Sequence, residues 1–143
     1  MGKNLRYQTL KRKKCTFKKN ETSCVQEPII KLVKDNKYFG HMNNPSGSAC
    51  IKGICGDQIE FYIVVENNKI AEIKFHTDGC VYTTACGAIT SSIAEGKTIS
   101  ETLRISAGQV IAELKYLPKS HIHCAILAVS TLYKAIADYL LKP

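Results

Sequence analysis

Three of the seven cysteines lie where the sequence pattern predicts that a strand or a helix begins or ends. Cys55 precedes a predicted strand, Cys80 follows the next strand, and Cys124 lies in the first turn of the last predicted helix. Such positions are rigid mounts, and several of them can converge at one edge of a sheet. A helix N-terminus favours the thiolate over the thiol, so we expect a lowered pKa at Cys124. Thiolates bind iron–sulfur clusters, zinc or copper(I) in preference to hard cations.

The spacing of these cysteines does not by itself define a site. The intervals from Cys55 to Cys80 and from Cys80 to Cys124 are too long for the C-x-x-C knuckle of a zinc ribbon. In a reducing compartment, clustered cysteines favour metal binding or redox chemistry over disulfides, and an odd number argues against a complete disulfide framework. From the residues alone, one shared site and three small buried side chains are both open interpretations.

The hydrophobic pattern predicts the strands that must position these cysteines. Apolar and polar residues alternate from Gln58 to Val65, which is the period of a strand with one buried face. Residues 67–68, both asparagine, suit the positive φ values of a tight turn, and residues 70–76 form the return strand of a hairpin. In the return strand, the predicted buried face consists of Ala71, Ile73 and Phe75.

Helices are predicted on both sides of this hairpin. Pro28 opens a short helix, and a turn-rich loop follows at residues 43–48. After the hairpin a long helix ends near Gly96, and capping boxes begin two short helices at Thr98 and Ser106. Strands followed by helices predict an α+β fold, a small antiparallel sheet packed against helices in a single domain. Two helical faces should point inward: Tyr82, Cys86, Ile89 and Ile93 on the long helix, and Leu127, Thr131, Leu132, Ala135, Ile136 and Tyr139 on a last helix capped by Ser120.

The positive charge of the chain is concentrated near its N-terminus. The formal net charge is +8, and eight of the 20 basic residues lie in residues 1–20, which contain no acidic residue. The remaining 12 basic residues balance the 12 acidic ones. We therefore expect a basic, disordered tail over residues 1–26 and a neutral domain over residues 27–143, with nucleic-acid binding at most accessory. The longest apolar runs are far shorter than the ~18 residues of a membrane span and no secretory signal is visible, so we expect a soluble cytoplasmic protein.

Six short strings of residues are informative, three of which contain a cysteine and three of which lie elsewhere in the chain. They are Cys55-Gly56-Asp57, Asp78-Gly79-Cys80, Ile122-His123-Cys124-Ala125-Ile126-Leu127-Ala128, His41-Met42-Asn43-Asn44-Pro45, Glu95-Gly96-Lys97-Thr98 and Ala135-Ile136-Ala137-Asp138-Tyr139. Together they closely resemble the NifU/IscU family of iron–sulfur cluster assembly scaffolds, in the family's order and near its separations. The resemblance covers about residues 28–141.

This resemblance implies a fold, a function and a set of ligands. Family members have a small α+β domain of the SufE/NifU-like type, on which a transient [2Fe–2S] cluster is built and passed to acceptor apo-proteins. A cysteine desulfurase supplies the sulfur. Carried over residue by residue, the iron and cluster ligands are Cys55, Asp57, Cys80 and Cys124, with His123 beside the last cysteine, and the fourth ligand is either Asp57 or His123. A stable [2Fe–2S] cluster usually has four cysteine ligands, so three cysteines and one harder donor leave a labile corner.

Two departures from the family pattern concern partners. Residues 117–121 read Leu-Pro-Lys-Ser-His, where members served by a dedicated chaperone carry Leu-Pro-Pro-Val-Lys. A heat-shock-type chaperone is therefore not an expected partner. The link from Pro45 to Cys55 is shorter than in typical members, which trims the loop that a desulfurase would meet.

The alternative function is that of a zinc-containing sulfurtransferase. In such a protein Asp57 and three thiolates would hold zinc, and one cysteine would accept persulfide from a desulfurase. Relatives of that kind usually carry an insertion where residues 96–98 run straight into a capping box. We therefore predict a scaffold and carrier rather than an enzyme, while zinc could still occupy the site in the isolated protein.

The other cysteines and histidines receive weaker assignments. The stripe position of Cys86 predicts a core residue, with a second sulfur-accepting thiol as the alternative. Cys50 is left unassigned, and Cys15 and Cys24 are predicted to be free thiols. The two remaining histidines of interest, His76 and His121, are predicted to be solvated.

Overall fold

The computed structural model describes residues 27–34, 37–54, 56–115 and 117–142. The predicted tail, with Cys15 and Cys24, lies outside the described residues, and so does Cys55. The elements in chain order are α1 (Glu27–Lys34), β1 (Gly47–Lys52), β2 (Gln58–Glu66), β3 (Lys69–Thr77), α2 (Val81–Ala94), α3 (Ile99–Thr102), α4 (Ala107–Leu114), a 3-10 turn (Lys119–His121) and α5 (Ile122–Leu141).

The three strands form one antiparallel sheet in the order β1-β2-β3. The predicted hairpin of β2 and β3 is confirmed, and Asn67 and Asn68 turn the chain with φ values of 53° and 63°. The sequence pattern does not predict β1. The predicted loop over residues 43–48 is wrong at residues 47–48, where β1 begins. Strand pairing with β2 orders this segment, whose small residues show no clear alternation of their own.

A β-bulge reverses the predicted side-chain orientation at the start of β3. The register shifts between Val64 and Val65, which leaves Ala71 as an extra residue on β3. As a result Ile70 is fully buried and Ala71 is exposed, so the prediction of a buried Ala71 is wrong. Beyond the bulge the predicted buried face is confirmed at Ile73 and Phe75.

The helices α2 and α5 bury the apolar side chains of the sheet. Helix α5 packs against β1 and β2, α2 packs against β3, and the two helices contact each other. A Cβ atom at Gly87 would lie 2.5 Å from the ring of Phe75, so glycine permits the close approach of α2 to β3. Cys86 is fully buried in this layer, which confirms its prediction as a core residue.

The helix starts agree with the predicted caps except at α5. The capping box of Thr98 and Glu101 has both of its reciprocal hydrogen bonds. At the start of α4 the Ser106 side chain accepts from the Gln109 N–H, which is one half of the predicted box. The predicted cap at Ser120 is wrong, because Ser120 lies within the 3-10 turn and His121 occupies the N-cap position of α5. The 3-10 turn therefore places His121 directly at the start of α5.

One helical stretch of the described chain, Lys119–Leu141, is long and apolar enough to cross a membrane by length and composition. Half of its most apolar part is buried inside the domain, where α5 packs against the sheet, α2 and α4. Core packing therefore accounts for its apolar character. Its predicted inward face is confirmed as buried at Leu127, Thr131, Leu132, Ala135 and Ile136, and Tyr139 is half-buried.

Candidate metal centre

The N-termini of α2 and α5 bring two cysteines together. Cys80 occupies the N-cap position of α2, and Cys124 is the third residue of α5. Both side chains are buried, and their sulfurs form a group with a ring nitrogen of His121 in which all three atoms lie within 4.8 Å of one another. The positive ends of two helix dipoles favour negative charge at this place. The arrangement therefore suits thiolates that hold a cation.

The sequence prediction for His121 is wrong. The residue is buried (6% exposed) instead of solvated, and Nδ1 lies 3.9 Å from Cys80 Sγ and 3.8 Å from Cys124 Sγ. The ring packs on Tyr82 with their centroids 4.2 Å apart. His121 and Cys124 are three residues apart at a helix start, a spacing that places two side chains on one face, and this signal could have identified the histidine.

Asp57 borders the two thiols through Thr83. The Thr83 hydroxyl lies 3.0 Å from Asp57 Oδ2 and 3.3 Å from Cys124 Sγ, so it can donate to either atom. The backbone N–H of Cys80 also donates to Asp57 Oδ2, at 3.4 Å. A Cβ atom at Gly79 would lie 2.7 Å from Asp57 Oδ2, so glycine is needed for this approach. The buried carboxylate is thereby held against the N-terminus of α2.

His123 lies on the other side of the last cysteine. Its Nε2 atom is 3.7 Å from Cys124 Sγ, and its ring centroid is 6.1 Å from that of His121. The side chain is half-buried. Asp57 and His123 therefore border the group of two sulfurs and one imidazole, and the ligand roles of these residues stay predictions.

The chain that flanks Cys55 forms a tight turn between β1 and β2. The Gly53 N–H donates to the carbonyl of Asp57 at 2.7 Å, and the Gly56 N–H donates to the carbonyl of Gly53 at 3.0 Å. Gly56 has a φ of 88°, which favours glycine. The turn delivers Asp57 to the thiols, and the ligand role of Cys55 stays a prediction.

The electrostatics of Cys124 differ from the sequence expectation. Hydrogen bonding to Cys80, then burial and the charge of Cys80, raise the pKa of the Cys124 thiol well above its ordinary value. The expected lowering by the helix N-terminus is therefore wrong. Burial, followed by the charge of Cys80, likewise raises the pKa of Cys86. Two adjacent buried thiols do not both ionise unless a cation compensates them, so metal binding here would release protons.

Two residues with weak sequence assignments lie on the outer face of the sheet. The side chain of His76 is partly exposed, with Nδ1 3.7 Å from Glu60 Oε1. Cys50 is an exposed free thiol whose sulfur lies 3.1 Å from Gln58 Nε2. Neither belongs to the group formed by Cys80, His121 and Cys124.

Comparison with known proteins identifies the family of this chain. Residues 25–143 match the family model described as the NifU-like N terminal domain. The chain belongs to this family. It is 38% identical over 117 residues to the iron-sulfur cluster assembly scaffold protein IscU 1 of Archaeoglobus fulgidus, which covers 75% of this chain and 76% of the relative. It is also 33% identical over 115 residues to the scaffold protein IscU of Aquifex aeolicus, covering 79% and 68%.

A solved structure shows the same fold. The crystal structure of the N-terminal part of a NifU-like protein from Brucella abortus has a TM-score of 0.65 with this chain at 13% identity. The match covers 82% of this chain and 95% of the solved chain. The predicted α+β fold, a small antiparallel sheet with helices, is therefore confirmed.

Proposed function

We propose that this NifU-like chain is a scaffold on which a transient [2Fe–2S] cluster is assembled and from which it passes to acceptor proteins. The observation that carries the proposal is the group formed by Cys80, Cys124 and His121 at the N-termini of two packed helices. Two of the curated relatives are named iron-sulfur cluster assembly scaffold proteins. The cluster is the cargo of such a protein, so the chain acts as a carrier without turnover of its own.

The ligand set that we propose contains Cys55, Cys80 and Cys124 as thiolates. Cys55 is two residues before Asp57, so their Cα atoms can be at most about 7 Å apart. Because the Asp57 carboxylate borders the other two thiols, this distance supports Cys55 as the third thiolate. Asp57 and His123 are the donors that family resemblance offers for the fourth position, and the buried ring of His121 adds a third.

The mixture of donors supports a cluster that is held briefly. Thiolates are soft ligands that suit iron–sulfur clusters, whereas a carboxylate oxygen is hard and exchanges more readily. The raised pKa of Cys124 also favours release, since a departing cluster leaves a thiolate that readily takes up a proton. A resident cluster would instead be expected on four cysteines.

The chemistry of assembly defines the partners. Sulfur has to be delivered by a donor, for which we propose a cysteine desulfurase, and the finished cluster needs apo-proteins that accept it. The desulfurase supplies persulfide sulfur, so ferrous iron and a thiol reductant must provide the two electrons that convert each sulfur atom to sulfide. Among the described residues the cysteines Cys50, Cys86 and Cys124 are free thiols. A scaffold of this kind requires them to stay reduced, which supports a location in the cytoplasm.

Zinc is the competing cargo for the same donors, because three thiolates with an imidazole or a carboxylate also form a four-coordinate zinc site. The short passage from α2, which ends at Ala94, to α3, which begins at Ile99, provides no room for the insertion expected of a zinc sulfurtransferase. The scaffold is therefore the function that we propose, and zinc is an outcome that its test can distinguish.

The test is anaerobic loading of the reduced full chain with ferrous iron, cysteine, a cysteine desulfurase and an excess of a thiol reductant, followed by visible absorption and metal analysis. We expect brown protein with about two irons and two sulfides per chain. The variants Cys80→Ser and Cys124→Ser should lose the colour, whereas Cys50→Ser, which removes an exposed thiol outside the site, should keep it. Colourless protein that retains one tightly bound zinc would contradict the proposal, and Cys55→Ser tests the third thiolate separately.

A further inference from the structure

A second group of potential metal ligands lies on the outer face of the sheet. Glu60 on β2 and His76 on β3 are cross-strand partners, and His41 lies beside them. The Nε2 atom of His41 is 3.2 Å from Glu60 Oε1, and Nδ1 of His76 is 3.7 Å from the same oxygen. One carboxylate oxygen therefore faces two imidazole nitrogens.

The backbone places Glu60 and His76 on paired strands and His41 beside β3. Phe39 forms a bridge with Phe75 of β3, where the Gly40 N–H donates to the carbonyl of Phe75 at 2.8 Å. This pairing holds His41 next to β3, and its ring stacks on that of His76 with their centroids 4.3 Å apart. Ligands mounted on paired strands keep their positions better than ligands on free loops. The group is thus arranged before any ion binds.

We propose that His41, Glu60 and His76 form a second metal site, which binds a divalent first-row ion such as Zn²⁺ or Fe²⁺. With ligand distances of about 2.0–2.2 Å and tetrahedral geometry, two donors of one zinc ion lie about 3.3–3.6 Å apart. The two separations between imidazole nitrogen and carboxylate oxygen, 3.2 and 3.7 Å, require only small side-chain shifts to reach that range. Two histidines and one carboxylate are also the donor set of many iron(II) and zinc centres with open positions.

The surroundings of the group resemble an outer ligand shell. The Tyr62 hydroxyl donates to Glu60 Oε1 at 2.8 Å, which orients the carboxylate, and the ring of Phe39 packs on His76 at 5.2 Å. Outer-shell contacts of this kind hold metal ligands in place. The side chains of His41, Glu60 and His76 are 62%, 32% and 36% exposed, so an ion can enter and water can complete its coordination.

The cleft in front of these ligands is lined by two residues that are close in sequence to the thiol site. It has a volume of about 180 Å³ and is also lined by Gln58 and Asp78. Gln58 follows Asp57 in the chain, and Asp78 precedes Cys80 by two residues. The second site therefore lies at the end of the sheet that carries the proposed cluster ligands, yet it shares no residue with them. Its existence does not depend on the proposed function.

The test is an anaerobic zinc titration of the reduced full chain, followed by competition with a chromophoric chelator and by ¹H–¹⁵N spectra of the histidine rings. We expect one binding event that shifts the rings of His41 and His76 together. Glu60→Gln should weaken that event by at least about tenfold, since even the loss of an outer-shell partner has an effect of that size. Cys80→Ser should leave it unchanged, which separates this result from a failure of the thiol site.

Glu72→Gln is the matched control, because Glu72 is an exposed carboxylate on β3 outside the cleft. It should bind zinc as the wild-type chain does. The proposal is overturned if zinc does not shift the rings of His41 and His76, or if Glu60→Gln and Glu72→Gln bind zinc equally well at the event that shifts them. His76→Asn gives a second check that leaves the carboxylate in place, and it should weaken the same event.

Discussion

The hydroxyl of Thr83 connects the carboxylate of Asp57 to the thiol of Cys124, and valine at position 83 would remove it with little change of shape. The side chain is fully buried, and Oγ1 lies 3.0 Å from Asp57 Oδ2 and 3.3 Å from Cys124 Sγ. A hydroxyl has one proton to donate, and a carboxylate is a stronger acceptor than a thiol. Thr83→Val therefore removes one hydrogen-bond donor from the buried carboxylate of Asp57.

A hydrogen bond to a charged group contributes about 1.5–3 kcal/mol to stability, so we expect Thr83→Val to lower the free energy of unfolding by about 2 kcal/mol. With a urea m-value of about 2 kcal/mol/M for a domain of this size, the midpoint of unfolding should fall by roughly 1 M. The assay is urea unfolding of the reduced protein at neutral pH, followed by circular dichroism. Thr83→Ser, which keeps the hydroxyl, should recover part of the loss.

Thr90→Val is the matched control for this prediction. Thr90 is equally buried on α2, but its hydroxyl donates at 2.7 Å to the carbonyl of Cys86 in the same helix. That carbonyl keeps its backbone partner, so the loss should stay below about 1 kcal/mol. Equal destabilisation by the two valine variants would refute the reasoning. So would a double-mutant cycle in which Thr83→Val costs as much in the Asp57→Ala background as in the wild type.

Three further predictions concern cluster lifetime, packing and pH. Asp57→Ala should lengthen the lifetime of a loaded cluster, followed by anaerobic visible absorbance, because it removes a labile oxygen donor and a route for solvent. Gly87→Ala should lower the free energy of unfolding by about 1–3 kcal/mol in urea, since its Cβ would lie 2.5 Å from the Phe75 ring. The Ser48 N–H holds the pKa of Asp138 below its ordinary value, so this contribution to stability is present above that value and is lost as the pH falls through the folded-state pKa. Asp138→Asn should therefore flatten the decline of the urea midpoint as the pH falls from about 5 to about 3.

Each of these predictions has its own contradicting result. Equal or faster loss of the cluster from Asp57→Ala would contradict the role of the Asp57 carboxylate as a labile cluster ligand. Gly108→Ala is the control for Gly87, because its Cβ would meet the Ser106 hydroxyl at an ordinary 3.7 Å, and destabilisation of the same size in both variants would argue against the contact with Phe75. If the urea midpoint of Asp138→Asn declines with falling pH as it does in the wild type, the hydrogen bond from the Ser48 N–H to Asp138 does not contribute to stability.

Local patterns in the sequence predict much of the fold, because the hairpin and the caps depend on neighbouring residues. The alternation from Gln58 to Val65 and the Thr98 capping box both reappear in the structure. The strand β1 and the bulge at Ala71 do not follow from local patterns. Both arise from pairing with β2, which a reading of one segment at a time does not reveal.

The site shows the same division between local and non-local information. Short strings around the cysteines point to Cys80, Cys124 and Asp57, and the structure brings these three residues close together. The burial of His121 depends on the 3-10 turn before α5 and on the ring of Tyr82 from α2, so it appears only once the two helices are packed. The group of His41, Glu60 and His76 is likewise assembled from three separate segments.

Transfer of the cluster tests the central claim most directly. The loaded chain would be mixed with an apo-protein that accepts a [2Fe–2S] cluster, in the presence of an iron chelator, and followed by visible circular dichroism. If the chain is a scaffold, the cluster signal should move to the acceptor in near-stoichiometric yield despite the chelator. If the signal stays on the chain, or if the chelator captures the iron before the acceptor gains a cluster, the chain is not a scaffold.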